Sequence, residues 1–217
     1  MFNKASFEEL KPYIPTHCPA CNSTLELSQD LMHLKCSNPN CVGSLSRKIE
    51  IMCKAFGIDN IGTKMAKALC DTYQISNLVE FFELPPEAFQ VGRYSLPTAF
   101  KFHDEVHKRP LVSLADFIKG CQIFRIGAGI SGDIAKSFKT LDEFMAATPR
   151  QLAARIPRVT TNLTEQMCED RDSRKEEIYA LTSFVTIAAS PAEDSQPHKA
   201  NIVITGSLSV SRHPPQA

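Results

Sequence analysis

The sequence predicts a mainly α chain in which a small four-cysteine module precedes a series of paired helices, with one strand close to the C-terminus. Three observations carry that expectation. From about residue 46 to 190 the apolar residues recur mostly at helical spacing, as in Ile49, Met52, Cys53 and Phe56, then Met65, Leu69 and Cys70, then Leu78, Val79, Phe82 and Leu84. Four cysteines stand in two close pairs ahead of that region. The breaks between helical runs repeat one pattern, an apolar residue and a glycine followed four residues later by a small or apolar residue.

Residues 1–15 form a lead-in whose prolines flank Tyr13-Ile14, too short for a domain. Residues 16–45 hold Cys18-Pro-Ala-Cys21 and Cys36-Ser-Asn-Pro-Asn-Cys41, separated by a fourteen-residue insert. Each pair fits a short turn aiming two thiolates inward, and the insert closes the loop, which is the spacing of a closed tetrahedral Zn2+ site. A disulfide framework is the alternative, but Cys53, Cys70, Cys121 and Cys168 are scattered singly and the N-terminus has no charged-then-apolar leader. Cys18, Cys21, Cys36 and Cys41 are therefore the expected ligands of a structural zinc in a reducing compartment. His17 and His33 are expected at the surface, and the four single cysteines as small hydrophobes of the core.

Residues 46–188 are expected to form the helical domain. Its recurring break is found at Ile61-Gly62 with Ala66, Val91-Gly92 with Leu96, and Ile126-Gly127 with Ser131. Glycine suits a tight turn between packed helices because it tolerates backbone conformations costly to other residues, and such a turn leaves N–H groups pointing outward at a helix N-terminus. An anion fits there, and on a duplex that anion is a backbone phosphate, held without reading base sequence. Ile61, Gly62, Thr63, Lys64 and Lys67 at the first turn, Gly92 and Arg93 at the second, and Gly127 with Ala128 at the third are the candidate contacts. A fourth break, Ile156-Pro-Arg-Val-Thr160, has the flanking helices without the glycine and is expected to be structural. Taken singly, any of these glycines reads as a helix C-cap. Residues 189–200 have linker composition, and 201–217 open with Asn-Ile-Val-Ile-Thr-Gly, a strand entering a turn.

With 24 basic and 24 acidic side chains the chain is not a polycation, and no apolar run reaches the ~18 residues of a membrane span. Charge is unevenly placed, however. Lys35, Arg47, Lys48, Lys54, Lys64 and Lys67 face only Glu50 and Asp59, whereas eight acids between Glu165 and Asp194 face Arg171, Arg174 and Lys175. That asymmetry leans weakly toward nucleic-acid contact.

Taken together, the four cysteines, the helix Ser46-Arg-Lys-Ile-Glu-Ile-Met-Cys-Lys-Ala-Phe-Gly-Ile-Asp-Asn-Ile-Gly62, the later Ile126-Gly-Ala-Gly-Ile-Ser-Gly132 and the terminal Asn201-Ile-Val-Ile-Thr-Gly206 resemble the C-terminal half of bacterial-type NAD-dependent DNA ligases. The resemblance implies a zinc finger, a tandem helix-hairpin-helix domain and the opening strand of a BRCT domain, in that order. It places Cys18, Cys21, Cys36 and Cys41 on zinc ligands, Gly62, Gly92 and Gly127 on hairpin glycines, and Ile204-Thr205-Gly206 on the BRCT strand.

The family's nucleotidyl-transfer lysine lies in a Lys-x-Asp-Gly motif, and no Asp-Gly dipeptide occurs in this chain. The resemblance thus implies a DNA-binding, nick-clamping subunit or fragment acting in cytoplasmic replication and repair, in bacteria or a phage-infected host. A partner polypeptide would carry the adenylation domain, the oligonucleotide-binding barrel and the NAD+ site. A free-standing structure-selective DNA-binding or repair accessory protein is the alternative, and a remnant of a once-intact ligase a third reading.

Two motifs are set aside. Gly127-Ala-Gly129-Ile-Ser-Gly132 satisfies a dinucleotide-binding string, but its surroundings read as helix rather than as a strand–turn–helix unit. His103 and His107 stand one helical turn apart, and are expected as exposed residues of a polar face.

Overall fold

In the computed structural model the described residues are 11–27, 34–38, 41–157 and 159–188. The expected strand at 201–217, the linker, His33 and Arg158 lie outside them. Among the described residues the chain is mainly helical, with two small strand pairs.

The N-terminal module is a β-ribbon. Strands β1 (Leu25–Leu27) and β2 (Leu34–Cys36) pair antiparallel, Leu25 opposite Cys36, and a bridge between His17 and Thr24 extends the ribbon toward the first cysteine pair. Cys41 then serves as the N-cap residue of α1 (Val42–Phe56), so the boundary expected between 45 and 46 falls inside one continuous helix. Helix α1 buries Leu45, Ile49, Met52, Cys53 and Phe56 along one stripe and ends at Gly57, whose φ of +67° is the left-handed conformation that favours glycine.

Beyond α1 the chain repeats itself at a more regular interval than the sequence pattern suggested. Helices α2 (Thr63–Tyr73), α4 (Leu96–Val106), α6 (Ala128–Ser137) and α9 (Thr161–Ser173) each start after a hairpin turn, with N-cap residues Gly62, Ser95, Gly127 and Thr160. The steps between those caps are 33, 32 and 33 residues. Four residues after each cap a small side chain is buried, Ala66 at 0%, Ala99 at 0%, Ser131 at 1% and Thr164 at 0% exposure. Each donates its N–H to the cap carbonyl at 2.9–3.0 Å. This position of the first full turn faces the preceding element, so bulk there would push the hairpin apart.

The intervening elements complete four units: α3 (Leu78–Phe82), a 3-10 turn (Pro86–Phe89), α5 (Leu114–Gly120), α7 (Leu141–Ala146), α8 (Pro149–Arg155) and α10 (Lys175–Leu181). The unit pair α1–α2 corresponds to α5–α6 at an offset of 65 residues. Ile49 and Leu114, Met52 and Phe117, Cys53 and Ile118, Ile58 and Ile123, Ile61 and Ile126, Ala66 and Ser131, and Leu69 and Ile134 are all buried. Helices α1 and α5 pack face to face, and the fit is asymmetric. The Phe56 ring stacks on Phe117 with centroids 5.7 Å apart and planes within 5°, and lies over Gly120, where a Cβ would sit 2.3 Å from Phe56 Cε1. One repeat contributes bulk where the other contributes none. A single apolar cluster runs from Leu45 to Val185, and the parallel pair β3 (Leu111–Val112) with β4 (Thr186–Ile187) ties the end of the domain back to its middle. Cys53, Cys70, Cys121 and Cys168 are all buried, as expected of small hydrophobes.

Candidate metal centre and nucleic-acid interface

The two cysteine turns converge. Their four Sγ atoms lie within 4.8 Å of one another, with Cys18 to Cys41 at 3.6 Å and Cys21 to Cys36 at 3.4 Å. A tetrahedron with ~2.3 Å metal–sulfur bonds has edges of about 3.8 Å, so this donor set fits one metal ion with all four positions filled by the protein. The first turn is built by Cys18 N–H donating to Ser23 O and Asn22 N–H to Cys18 O, both at 2.8 Å, with Asn22 left-handed at φ 57°. The second closes as Cys41 N–H donates to Asn38 O at 3.2 Å. Gly43 lets α1 approach the first turn, since a Cβ there would stand 2.7 Å from Ala20 Cβ.

The hydroxyl and N–H of Ser23 hold the Cys21 thiol down at about 6, and the N–H groups of Ala20 and Cys21 lower that of Cys18. The Asn38 N–H favours a thiolate at Cys36, but burial and the neighbouring sulfurs outweigh it and lift Cys36 to about 12; burial also raises Cys41. Four adjacent sulfurs resist full ionisation, and a cation among them reverses that balance. His17 is exposed, with Nδ1 2.9 Å from Thr16 Oγ1, and stands apart from the cluster.

The hairpin turns differ in what they present. In the first, Gly57 and Asn60 are left-handed, at φ 67° and 68°, and in the third Gln122 and Arg125 take those places at 52° and 60°. Gly62 and Gly127 themselves are extended, at φ −93° and −95°, a conformation open to any residue. This corrects the expectation that those two glycines serve a costly backbone geometry. What they provide is emptiness: a Cβ at either would meet nothing within 4 Å, and neither helix has a side-chain cap. The opening N–H groups of α2 and α6 are therefore reachable from outside.

At the second hairpin the expected register is displaced by three residues. Gly92 is left-handed at φ 66° and exposed, and Leu96 is 42% exposed, while the cap and the buried small residue are Ser95 and Ala99. A pattern keyed on glycine passes over Ser95; the alanine four residues on was the available signal. Pro97 sits in the first turn of α4, where it is tolerated but removes an N–H. Arg93 is exposed on the turn. At the fourth hairpin Thr160 Oγ1 accepts from Leu163 N–H at 3.4 Å, so that helix caps itself. Its helix α9 carries Arg171, 4% exposed, whose Nη1 donates to Phe144 O and Ala147 O at 2.8 and 2.9 Å.

Around the first hairpin the side chains are partly committed. Thr63 Oγ1 donates to Glu50 Oε2 at 2.7 Å, and Lys67 Nζ pairs with Asp71 at 2.6 Å, while Lys64 is exposed. Two cations that sequence reasoning did not assign stand here as well, Arg47 and Lys54, each 2.7 Å from the Glu50 carboxylate. Lys54 and residues 57–62 line a recess of about 470 Å³. The third hairpin meets the cysteine module, with Lys35 Nζ on β2 lying 5.8 Å from the Phe124 ring centroid.

The Gly127–Gly132 string occupies a turn and the start of α6 after helix α5, without a preceding strand, so it is no dinucleotide-binding loop. His103 and His107 stack at 4.1 Å and are half-buried, a correction to their expected exposure; His107 Nε2 lies 2.7 Å from Phe82 O, which ties α4 to the end of α3.

No protein-family model matches the chain. Over 157 residues it is 29% identical to a DNA ligase of Bacillus cereus, covering 71% of this chain and 24% of that protein. The chain is similar to part of DNA ligases. A Bacillus thuringiensis DNA ligase is 28% identical over 157 residues, with the same coverage, and one from Bacillus mycoides is 28% identical over 155 residues, covering 70% and 23%. The chain thus spans about a quarter of the length of the curated relatives it matches. Among the described residues no helix is long and apolar enough to cross a membrane.

Proposed function

We propose that this chain is the duplex-gripping portion of an NAD-dependent DNA ligase, holding nicked DNA while a partner polypeptide supplies adenylation, the oligonucleotide-binding barrel and NAD+. The observation that carries the reading is the pair of glycine-capped hairpins. They are repeated at 65 residues, mounted on packed helices α1 and α5, and both have open helix N-termini, in a chain similar to DNA ligases. Backbone N–H groups at such ends, with Ile61, Gly62, Thr63 and Lys64 at one turn and Gly127 and Ala128 at the other, suit phosphate oxygens on a duplex of any sequence. Lys67 and, on the second turn, Arg93 would add charge at the rim, and Gly92 leaves that turn open to approach. The fourth hairpin supports α7 and α8.

The chemistry assigned to this chain is positional. Clamping phosphates on both sides of a nick holds the 3′-hydroxyl in line with an activated 5′-phosphate, and orientation of this kind lowers barriers by several kcal/mol. Cys18, Cys21, Cys36 and Cys41 would hold Zn2+, with no position left for substrate. The ion would fix the ribbon against α1 and contribute on the order of 10 kcal/mol to local folding. We divide the chain into a lead-in (1–15), zinc module (16–45), hairpin domain (46–188), linker (189–200) and BRCT-like start (201–217), with α1 running through the boundary between the second and the third.

The test is nick sealing by this chain, by an adenylation-competent partner fragment, and by the two mixed. Sealing by the mixture well above either part alone is expected. Tight binding of nicked duplex with no gain in sealing would assign the chain to the class of free-standing repair accessory proteins.

A further inference from the structure

An acid buried beside a surface that grips polyanions is out of place unless it serves the cations around it. Glu50 is such an acid: its side chain is 6% exposed, on the inner side of α1. Its two oxygens take three charge-assisted or hydroxyl hydrogen bonds, from Lys54 Nζ on Oε1 and from Arg47 Nη1 and Thr63 Oγ1 on Oε2, all at 2.7 Å. Arg47 and Lys54 stand one turn to either side of it on α1, and their side chains are 61% and 66% exposed. Each commits one N–H to Glu50. Four guanidinium donors and two ammonium donors remain to face outward. Thr63 is the first residue of α2, directly after Gly62, so the same carboxylate joins the two cations to the open hairpin turn.

We propose that Glu50 is a positioning residue for DNA binding, fixing Arg47 and Lys54 as phosphate contacts beside the first hairpin. This rests on the duplex-gripping reading above and extends its phosphate-binding residues to two side chains outside the hairpin turn. The arrangement adds one negative charge but holds two cations in place, where free lysine and arginine side chains would have to give up rotamer freedom on binding.

The experiment compares binding of the full chain to one nicked duplex across a salt series for the unaltered protein, Glu50→Gln, Arg47→Ala, Lys54→Ala and a charge control, Glu83→Gln, an exposed acid just past the end of α3. Simple electrostatics predicts that removing any acid tightens binding to a polyanion. Positioning predicts the opposite for Glu50→Gln, about tenfold weaker binding with the salt slope reduced by about 0.9 for each phosphate no longer neutralised. Glu83→Gln binds as tightly as the unaltered chain or slightly tighter. Glu50→Gln binding that is unchanged, tighter, or weaker with the slope intact overturns the proposal.

Should Glu50→Gln fail to fold, the two exposed cations carry the test. Each alanine variant lowers both affinity and slope, and unaltered affinity in both overturns it. If the unaltered chain binds no duplex at any salt, the duplex-gripping reading falls as well.

Discussion

Replacing Gly120 by alanine tests the way the two halves of the hairpin domain are joined. Gly120 ends α5, and a Cβ there would lie 2.3, 2.9 and 3.0 Å from Cε1, Cζ and Cδ1 of Phe56. Ordinary carbon contact is about 3.5–4.0 Å, so the ring must retreat by about 1.2 Å or more. It has nowhere to go. Phe56 is 1% exposed and its ring is stacked on Phe117. Overpacking of this kind costs about 1–3 kcal/mol, and the gain from alanine's helix propensity, under about 1 kcal/mol at a helix end, offsets only part of it.

The expected net loss is about 1–2 kcal/mol, read as a fall of about 2–8 °C in the melting temperature. Shortening the ring separates this cause from others. Phe56→Leu alone is destabilising, but combined with Gly120→Ala it should cost less than the sum of the two single changes, because the leucine vacates the space the new methyl needs. A Gly120→Ala variant as stable as the original, or strictly additive costs, would refute the packing argument.

Removing the metal by chelation, or changing Cys36 to serine, should expose residues 16–45 to protease while most helical circular dichroism persists; unchanged protection of that segment would contradict a structural metal. Acid should weaken the fold through Glu50, whose carboxyl the neighbouring Lys54, Thr63 and Arg47 hold at about 2. Because the folded value lies below the ~4.3 of an unfolded glutamate, its contribution is fully present above about pH 4.3 and lost as pH falls through about 2. Melting curves of the unaltered chain should therefore converge on those of Glu50→Gln in that window, and parallel curves would count against it. Thr160→Ala should cost about 1 kcal/mol of stability through the lost helix cap yet leave duplex binding intact; a matching loss of affinity would make the fourth hairpin a DNA contact.

Helical periodicity in the sequence was sufficient for the fold class, since buried stripes such as Ile49, Met52, Cys53 and Phe56 repeat at about 3.6 residues whatever packs against them. The cysteine spacing likewise foretold the convergence of the four sulfurs. The hairpin register was less legible. Glycine marks the turn in the sequence pattern, but the feature common to all four units is the buried small residue four positions after the cap, with Gly, Ser, Gly and Thr as caps. Ser95 was hidden because Gly92, three residues earlier, serves a separate left-handed turn. The Glu50 cluster was out of reach for another reason. Arg47 and Lys54 on either side of Glu50 resemble ordinary helix-surface pairs, and only the fold brings Thr63 onto the same carboxylate and buries it.

The most direct test of the central claim is the affinity of the chain for nicked duplexes of unrelated sequence, measured against salt, for the unaltered protein and for Gly62→Val, Gly127→Val and their combination. The account predicts equal affinities across sequences and a log–log salt dependence that steepens by about 0.9 per phosphate gripped. It also predicts a stepwise loss of affinity and slope as the first and third hairpins are blocked in turn. A flat salt response, or valine variants that bind as tightly as the original, would contradict it.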